Sequence, residues 1–296
     1  MTPEYIPVSL DYVDEYAKLL TNSETNASDF SFGNIWGWSD YMGMEWKKCG
    51  EMCWLRQTLE EPGDWAPLGD WKKHDWASCV NLNNGMKFMR VPEQLLELWR
   101  KMLPPERIIV GDDRLQWDYL YLTEDLANLP GNRYHKKKNL VRQFKKNYNY
   151  TYGRFCSVCV DEVLSMQEEW IKWQDAEAES TLHHENRAIY LTLTNWNRLP
   201  HMVGAAIRVE GKIVAYTVGE YIREDTVIVH FEKGMPGYKG VYQAINNFFA
   251  QDIARDPKIK YINREQDMGD PGMRQAKESY HPVDYIKKYD VEILPA

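Results

Sequence analysis

The pattern of hydrophobic and polar positions is clearest between residues 202 and 263. Two runs rich in β-branched residues, 203–209 and 212–221, are separated by Glu210-Gly211, where the chain can turn. These two runs predict an antiparallel hairpin.

A third β-branched run begins at Val227 and ends at Glu232 and Lys233. Apolar positions at helical spacing begin at Val241, and Pro257 separates that helix from a short apolar run at the end of the stretch. The order predicted is hairpin, strand, loop, helix and strand. A helix start leaves backbone N–H groups unpaired, so this loop is suited to bind an anion. Its glycines are Gly234, Gly237 and Gly240.

The same order of elements is predicted earlier in the chain, with strands near 86–91, 107–110 and 117–122 and a helix after Pro92. Residues 26–41 contain many aromatic residues, whose positions follow no helix or strand period, and are predicted to form a loop. We therefore predict an α/β (α+β) fold with two similar tandem domains, each a mixed and mostly antiparallel sheet flanked by helices. The predicted ranges are 1–130 for the N-terminal domain, 131–148 for a linker helix and 149–296 for the C-terminal domain.

Composition narrows the class of protein. The chain has 296 residues, which suggests about two domains, and a net charge of −8, which argues against general coating of nucleic acid. No apolar run approaches the ~20 residues of a membrane helix, and the first residues lack the features of a signal peptide. We expect a cytoplasmic protein without a transmembrane segment.

One segment departs from this acidic balance. Residues 133–146 hold seven Lys or Arg and no acidic residue. The segment predicts a helix with a cationic side, which is either a solvated face or a phosphate-binding surface suited to a polyanion. The cations assigned to this surface are Lys136, Lys137, Lys138, Arg142 and Lys145, joined by Lys239 and Gly240 of the glycine-rich loop.

The five cysteines are an odd number, which fits free thiols better than a set of disulfides. Cys156 and Cys159 have CxxC spacing, and Cys49 and Cys53 form a wider pair. A zinc site needs four closely spaced ligands, and neither pair has a matching second pair. We expect no metal, and no cofactor is required.

Five blocks of the sequence together are specific, although each alone is weak. They are Arg133-Tyr-His-Lys-Lys-Lys-Asn, His230-Phe-Glu-Lys, Lys239-Gly-Val-Tyr-Gln-Ala-Ile-Asn, Tyr261-Ile-Asn-Arg-Glu-Gln-Asp-Met-Gly and Gly272-Met-Arg-Gln-Ala-Lys-Glu-Ser-Tyr-His-Pro. With these blocks the chain resembles the DUF2156 family, also called the phosphatidylglycerol lysyltransferase C-terminal-like family. The resemblance implies tandem acetyltransferase-type (GNAT-type) domains. Its lipid-modifying members, like the related Fem transferases, move an amino acid from aminoacyl-tRNA to an amine or hydroxyl.

Acyl transfer needs a base, groups that stabilise the oxyanion and an acid for the leaving group. In acetyltransferase-like folds the acyl group enters a gap between the fourth and fifth strands. Glu232 ends the predicted fourth strand and is the candidate base, or else a surface carboxylate paired with Lys233. Tyr280 is the candidate acid, or else a packed side chain. Candidate substrate-binding residues are His230, Lys233, Glu265, Asp267 and Tyr242, of which His230 can equally be packed and Glu265 and Asp267 can equally cap turns.

The glycine-rich loop indicates which molecule donates the acyl group. Coenzyme A enzymes of this fold carry a second small residue in this loop, where this chain has the bulky Tyr242. That difference favours aminoacyl-tRNA, bound through its acceptor end, over acyl-CoA. We therefore expect an acyltransferase that moves an aminoacyl group to a small molecule or lipid head group. The alternatives are an acyl-CoA-dependent N-acyltransferase and a non-catalytic binding protein of the same fold.

Overall fold

The computed structural model describes residues 4–174 and 180–296. Its strands are β1 (Ile6–Pro7), β2 (Met44–Cys49), β3 (Met52–Gln57), β4 (Gly63–Trp65), β5 (Leu68–Gly69), β6 (Met86–Pro92), β7 (Ile108–Asp112), β8 (Asp118–Leu122), β9 (Tyr150–Arg154), β10 (Met202–Val209), β11 (Lys212–Arg223), β12 (Thr226–Gly234), β13 (Tyr261–Asn263), β14 (Asp284–Ile286) and β15 (Lys288–Ile293). Its α-helices are α1 (Val13–Asn22), α2 (Phe32–Gly37), α3 (Ser39–Met42), α4 (Val80–Asn83), α5 (Glu93–Met102), α6 (Thr123–Asn128), α7 (His135–Asn147), α8 (Val160–Gln174), α9 (Thr181–Thr194), α10 (Val241–Ile253) and α11 (Pro271–Glu278).

The chain divides into two compact units, each built from separate segments. Unit 1 comprises Met1–Asp118, Gln266–Asp270 and Tyr285–Ala296, and unit 2 comprises Tyr119–Glu265 and Pro271–Asp284. The predicted ranges 1–130, 131–148 and 149–296 are continuous instead, and as domain limits they stay a prediction.

Unit 1 is organised around a mixed sheet in the order β1-β2-β3-β4-β6-β15-β7, with β5 paired to β3. The pairs are antiparallel except for β4 with β6. The last strand of the chain, β15, lies between β6 and β7. Residues 26–41, which were predicted as a loop, contain the short helices α2 and α3, so that prediction is wrong. The Ser31 side chain caps α2 by accepting a hydrogen bond from Asn34 N–H.

In unit 2 the strands β8, β13, β12, β11, β10 and β9 lie side by side in that order. The pairs are antiparallel except for β12 with β13. The predicted hairpin is confirmed, with Glu210 and Gly211 between β10 and β11 at φ values of 52° and 82°. Most side chains of β11 are buried because it lies in the middle of the sheet. Two mixed sheets flanked by helices confirm the predicted α/β class.

Two irregularities of β12 shape the region around Glu232. Pairing with β13 ends at Ile228 and Asn263, whereas β12 continues to Gly234. On the other side Val218 pairs with Phe231 and Gly219 with Val229, so His230 is an extra residue in a β-bulge. The two parallel strands therefore stop pairing well before Glu232.

Helix α10 follows β12 and is buried along most of its length. Its N-cap is Gly240, in the left-handed region at φ 83°. A Cβ atom at this glycine would lie 2.4 Å from the carbonyl oxygen of Leu140 in α7. Only glycine allows α7 to approach the start of α10 this closely.

Candidate active site

Glu232 lies on the part of β12 that β13 no longer covers. Its side chain is 10% exposed, and its Oε1 atom is 3.1 Å from Nη2 of Arg264. Its Oε2 atom accepts a hydrogen bond from Nδ2 of Asn246 at 3.3 Å. The alternative prediction that Glu232 is a surface carboxylate paired with Lys233 is therefore wrong.

Arg264 directly follows β13, and its guanidinium lies 5.1 Å from the ring centre of Tyr280 and 5.9 Å from that of Tyr121. Burial alone would lower the pKa of Arg264, but the Glu232 carboxylate and the two phenols raise it. Arg264 thus stays charged beside Glu232. Sequence reasoning missed this residue, although it stands within the block that begins at Tyr261.

Tyr280 follows α11 and is 6% exposed. Burial raises the pKa of its phenol; Arg264 opposes this shift and Glu232 adds to it. The phenol is therefore protonated at neutral pH and available as a donor. Its ring also lies 4.2 Å from Nζ of Lys137, so Glu232, Arg264, Tyr280 and Lys137 form one cluster in unit 2.

The turn that carries Arg264 is held from several sides. Glu265 has a left-handed backbone, at φ 57°, and its N–H donates to Oδ1 of Asn263 at 2.8 Å. The Lys277 ammonium donates to the carbonyl oxygens of Arg264 and Glu265 at 2.6 and 3.1 Å. These contacts fix the position from which the Arg264 side chain extends.

His230 is buried between two carboxylates. Its Nδ1 atom is 2.8 Å from Glu265 and its Nε2 atom is 3.2 Å from Glu220. Burial by itself would lower the pKa of His230, but the hydrogen bonds to Glu220 and Glu265 raise it to about 9. With its side chain 1% exposed, His230 holds the Glu265 turn. Its assignment, with that of Glu265, to substrate binding stays a prediction.

Lys233 makes a separate ion pair. Its ammonium is 2.8 and 2.7 Å from the two carboxylate oxygens of Glu185 and 4.4 Å from the ring centre of Trp170. The indole N–H of Trp170 donates to the Tyr242 hydroxyl at 3.2 Å. Lys233 and Tyr242 are thus joined through Trp170.

The loop between β12 and α10 borders a depression of about 350 Å³ that Lys239, Gly240 and Tyr242 help to line. One backbone amide of this loop already has a partner, because Lys239 N–H donates to the Tyr148 hydroxyl at 3.0 Å. That hydroxyl also donates to the Gly237 carbonyl at 3.2 Å. The loop therefore has one fewer free N–H group for an anion than its sequence suggests.

The cations of α7 fall into different environments. Lys136, Arg142 and Lys145 are exposed, whereas Lys137 and Lys138 are half-buried. Val141 and Phe144 face the core, as expected for an amphipathic helix. Lys137 lies over the Tyr280 ring and so belongs to the Glu232 cluster as well as to α7.

Asp267 lies in unit 1. Its buried carboxylate accepts a hydrogen bond from Gly269 N–H at 2.9 Å and lies 3.7 Å from Nη1 of Arg114. These contacts are those of a residue that caps a turn, which was the alternative prediction for Asp267. A substrate-binding role for Asp267 stays a prediction.

With this geometry in place, comparison with known proteins identifies the family. The sequence model of the family described as "Phosphatidylglycerol lysyltransferase, C-terminal" matches residues 21–292. The chain belongs to this family. The predicted resemblance is therefore confirmed, over nearly the whole length of the chain.

Solved structures similar to this member of the phosphatidylglycerol lysyltransferase C-terminal family include a conserved protein of unknown function from Bacteroides thetaiotaomicron VPI-5482. It is 28% identical, with a TM-score of 0.88 over 99% of this chain and 100% of that one. L-PGS from Bacillus licheniformis is 13% identical, with a TM-score of 0.63 over 95% and 91%. FemX is 7% identical, with a TM-score of 0.61 over 97% and 96%. These likenesses support the tandem acetyltransferase-like (GNAT-type) fold.

The search of curated proteins returned no match. Within residues 4–174 and 180–296, no helix has both the length and the apolar character needed to cross a bilayer.

Proposed function

We propose that this protein moves an aminoacyl group from aminoacyl-tRNA to an amine or hydroxyl acceptor. The observation that carries the proposal is the buried cluster of Glu232, Arg264 and Tyr280 beside the separated strands β12 and β13. Membership of the phosphatidylglycerol lysyltransferase C-terminal family supports an aminoacyl group as the one transferred.

The cluster offers the groups that such a transfer needs. The acceptor nitrogen or oxygen attacks the ester carbonyl carbon, and Glu232 takes up the proton that the acceptor loses. Arg264 stabilises the negative charge that develops on the carbonyl oxygen. When the ester bond to the ribose breaks, Tyr280 gives its proton to the departing ribose oxygen, and the phenol is restored by the proton held on Glu232.

Asn246 gives further support for an amine acceptor. Its Nδ2 donates to Glu232, while its Oδ1 atom is buried without a hydrogen-bond partner among the residues the structure describes. A buried acceptor atom without a donor is costly. An N–H group of an amine held against Glu232 is a donor of the kind that Oδ1 lacks.

Two features support tRNA rather than coenzyme A as the donor. The exposed cations of α7 suit a polyanion, since each neutralised phosphate releases counterions. The loop before α10 has one amide taken up by Tyr148 and is lined by Tyr242, which leaves less room and fewer donors for a pyrophosphate.

The donor is tested by filter binding of charged and uncharged tRNA at a series of salt concentrations. We expect tRNA binding to weaken as salt is added, with log Kd rising linearly with the logarithm of the salt concentration. The slope of this line should be smaller in the double variant Arg142→Gln/Lys145→Gln. The matched control is Lys258→Gln/Lys260→Gln, which removes two exposed lysines of unit 2 that are not part of α7. An equal change of slope in both double variants would remove α7 as the tRNA surface.

The transfer itself is tested with tRNA charged with radiolabelled amino acids and a panel of amines and amino-lipids. We expect transfer that depends on Glu232. If acyl-CoA thioesters raise the melting temperature and tRNA does not bind at all, the donor is acyl-CoA instead of aminoacyl-tRNA.

A further inference from the structure

Lys137 differs from the other cations of α7 in what it faces. Its ammonium lies 4.2 Å from the ring centre of Tyr280, and the Arg264 guanidinium lies 5.1 Å from the same ring. Two cations therefore contact one phenol ring at the Glu232 cluster. The exposed Arg142 and Lys145 of the same helix have no part in this arrangement.

The charges of this cluster do not balance. Glu232 neutralises Arg264 at 3.1 Å. Lys137 has no carboxylate oxygen within ion-pair distance among the residues the structure describes, and its contact there is the Tyr280 ring. Counting one negative and two positive groups, the cluster carries one excess positive charge.

This excess positive charge lies in a partly buried environment, which disfavours the charged form of a lysine. Burial lowers the pKa of Lys137, and the nearby Arg264 lowers it further. A half-buried ammonium beside a second cation gains more from an anion than an ammonium in water does, because water screens it less. Tyr280 is 6% exposed and the Glu232 side chain 10% exposed, whereas Lys137 is half-buried and lies on α7.

We propose that Lys137 and Arg264 form a subsite for an oxyanion, a phosphate or carboxylate group carried by a substrate close to the bond that reacts. This inference rests on the proposed function for the identity of that substrate. It separates Lys137 from the tRNA-binding surface of α7. Glu232 prevents Arg264 from attracting an anion with its full charge, so Lys137 supplies most of the attraction.

The subsite is tested by titration calorimetry of the full chain with three probes. These are 5′-AMP, which combines a phosphate with the adenosine that ends every tRNA, adenosine without phosphate, and N-acetylglycine as a carboxylate. We expect one of the two anions to bind the wild type more tightly than adenosine does. Phosphate preference indicates the donor end as the source of the anion, and carboxylate preference indicates the acceptor.

The variants are Lys137→Met, Lys137→Arg and, as the control, Lys212→Met, which removes an exposed lysine at the start of β11 in the same unit. We expect Lys137→Met to lower the affinity for the preferred anion roughly tenfold or more, which corresponds to the loss of one charge-assisted hydrogen bond. Lys137→Arg should restore most of the affinity, while Lys212→Met should leave it within about twofold. Circular dichroism and melting temperature show whether each variant is folded.

Three results would overturn the subsite. The first is an equal loss of anion affinity in Lys137→Met and Lys212→Met. The second is an equal loss for uncharged adenosine in Lys137→Met, and the third is no binding of either anion to the wild type at about 10 mM. The proposed transfer has a separate outcome. If Lys137→Met transfers aminoacyl groups at the full wild-type rate, the subsite is rejected and the proposed function is kept. If Lys137→Met loses anion binding but the wild type transfers no aminoacyl group, the subsite is kept and the proposed function is rejected.

Discussion

The Glu232 carboxylate and the Arg264 guanidinium form an ion pair of 3.1 Å beyond the point where β12 and β13 cease to pair. Their side chains are 10% and 15% exposed. Glu232 lies within β12 and Arg264 directly follows β13, so the pair forms only when the sheet has assembled. It joins the two strands at the place where backbone hydrogen bonds no longer do so.

Removing one partner of this pair should destabilise unit 2. In Glu232→Gln the Arg264 charge stays buried without its carboxylate, and we expect the free energy of unfolding to fall by about 3 kcal/mol. Urea denaturation followed by circular dichroism measures it. The control is Glu162→Gln, which breaks the ion pair with Arg208; because the Glu162 side chain is 55% exposed and solvent screens its charge, the loss there should be much smaller. Equal losses would contradict burial as the cause.

Tyr280→Phe should lower the rate of transfer with little change in stability. The ring keeps its place between Lys137 and Arg264, but the proton donor to the leaving group is gone. Loss of a general acid lowers kcat by roughly 100-fold or more. Single-turnover transfer assays measure this, with Tyr190→Phe as the control because Tyr190 is exposed on α9. An unchanged rate would remove Tyr280 from the chemistry.

Stability should fall at alkaline pH because of His230. Hydrogen bonds to Glu220 and Glu265 outweigh burial and raise its pKa from 6.5 to about 9. A raised pKa in the folded state means that the unfolded chain releases this proton first, so the stabilisation is complete below pH 6.5 and is lost as pH rises to about 9. Urea denaturation at pH 6, 7.5 and 9, chosen to span roughly this window, measures the decline.

The variant His230→Asn isolates this contribution. It removes the titrating group, so we expect a flatter dependence of unfolding free energy on pH over the same window. The exposed His281→Asn is the control and should keep the wild-type slope. A slope that stays the same in His230→Asn would assign the pH dependence to other groups.

Gly240→Ala should destabilise the protein more than Gly237→Ala. Both glycines have a positive φ, so each substitution carries a backbone cost of about 1 kcal/mol. At Gly240 the new methyl group would also meet the Leu140 carbonyl at 2.4 Å, whereas nothing lies within 4 Å at Gly237. We expect a total loss of about 2–3 kcal/mol for Gly240→Ala, measured by urea denaturation. Similar losses at both positions would mean that α7 can move away freely.

Much of the fold was predictable because its elements carry local signals. The hairpin β10–β11, the strand β12 and the helix α10 follow from β-branched runs, a turn dipeptide and helical spacing. Helices α2 and α3 escaped prediction because six and four residues are too few to show a helical period. The position of β15 between β6 and β7 depends on pairing with distant strands, which no local pattern reveals.

The candidate site was predicted only in part. Glu232 and Tyr280 were selected from their positions relative to predicted elements, and both lie in one cluster. Arg264 was missed because its role depends on the distance between two separated strands. The ion pair of Lys233 with Glu185 was missed for a similar reason, since α9 and β12 are far apart in the sequence.

The bulge at His230 has a consequence for the sign of the charge that β12 presents. Glu232 pairs with Thr217, and so its side chain shares the face of Gly219 and Val229. If this sequence paired regularly, without the bulge, Glu232 would lie opposite Tyr216 instead of Thr217. The Lys233 side chain would then lie on the face that Glu232 now occupies, and the Glu232 side chain would lie on the opposite face. The bulged pairing of this sequence thus determines that this side of the sheet carries a carboxylate instead of an ammonium group.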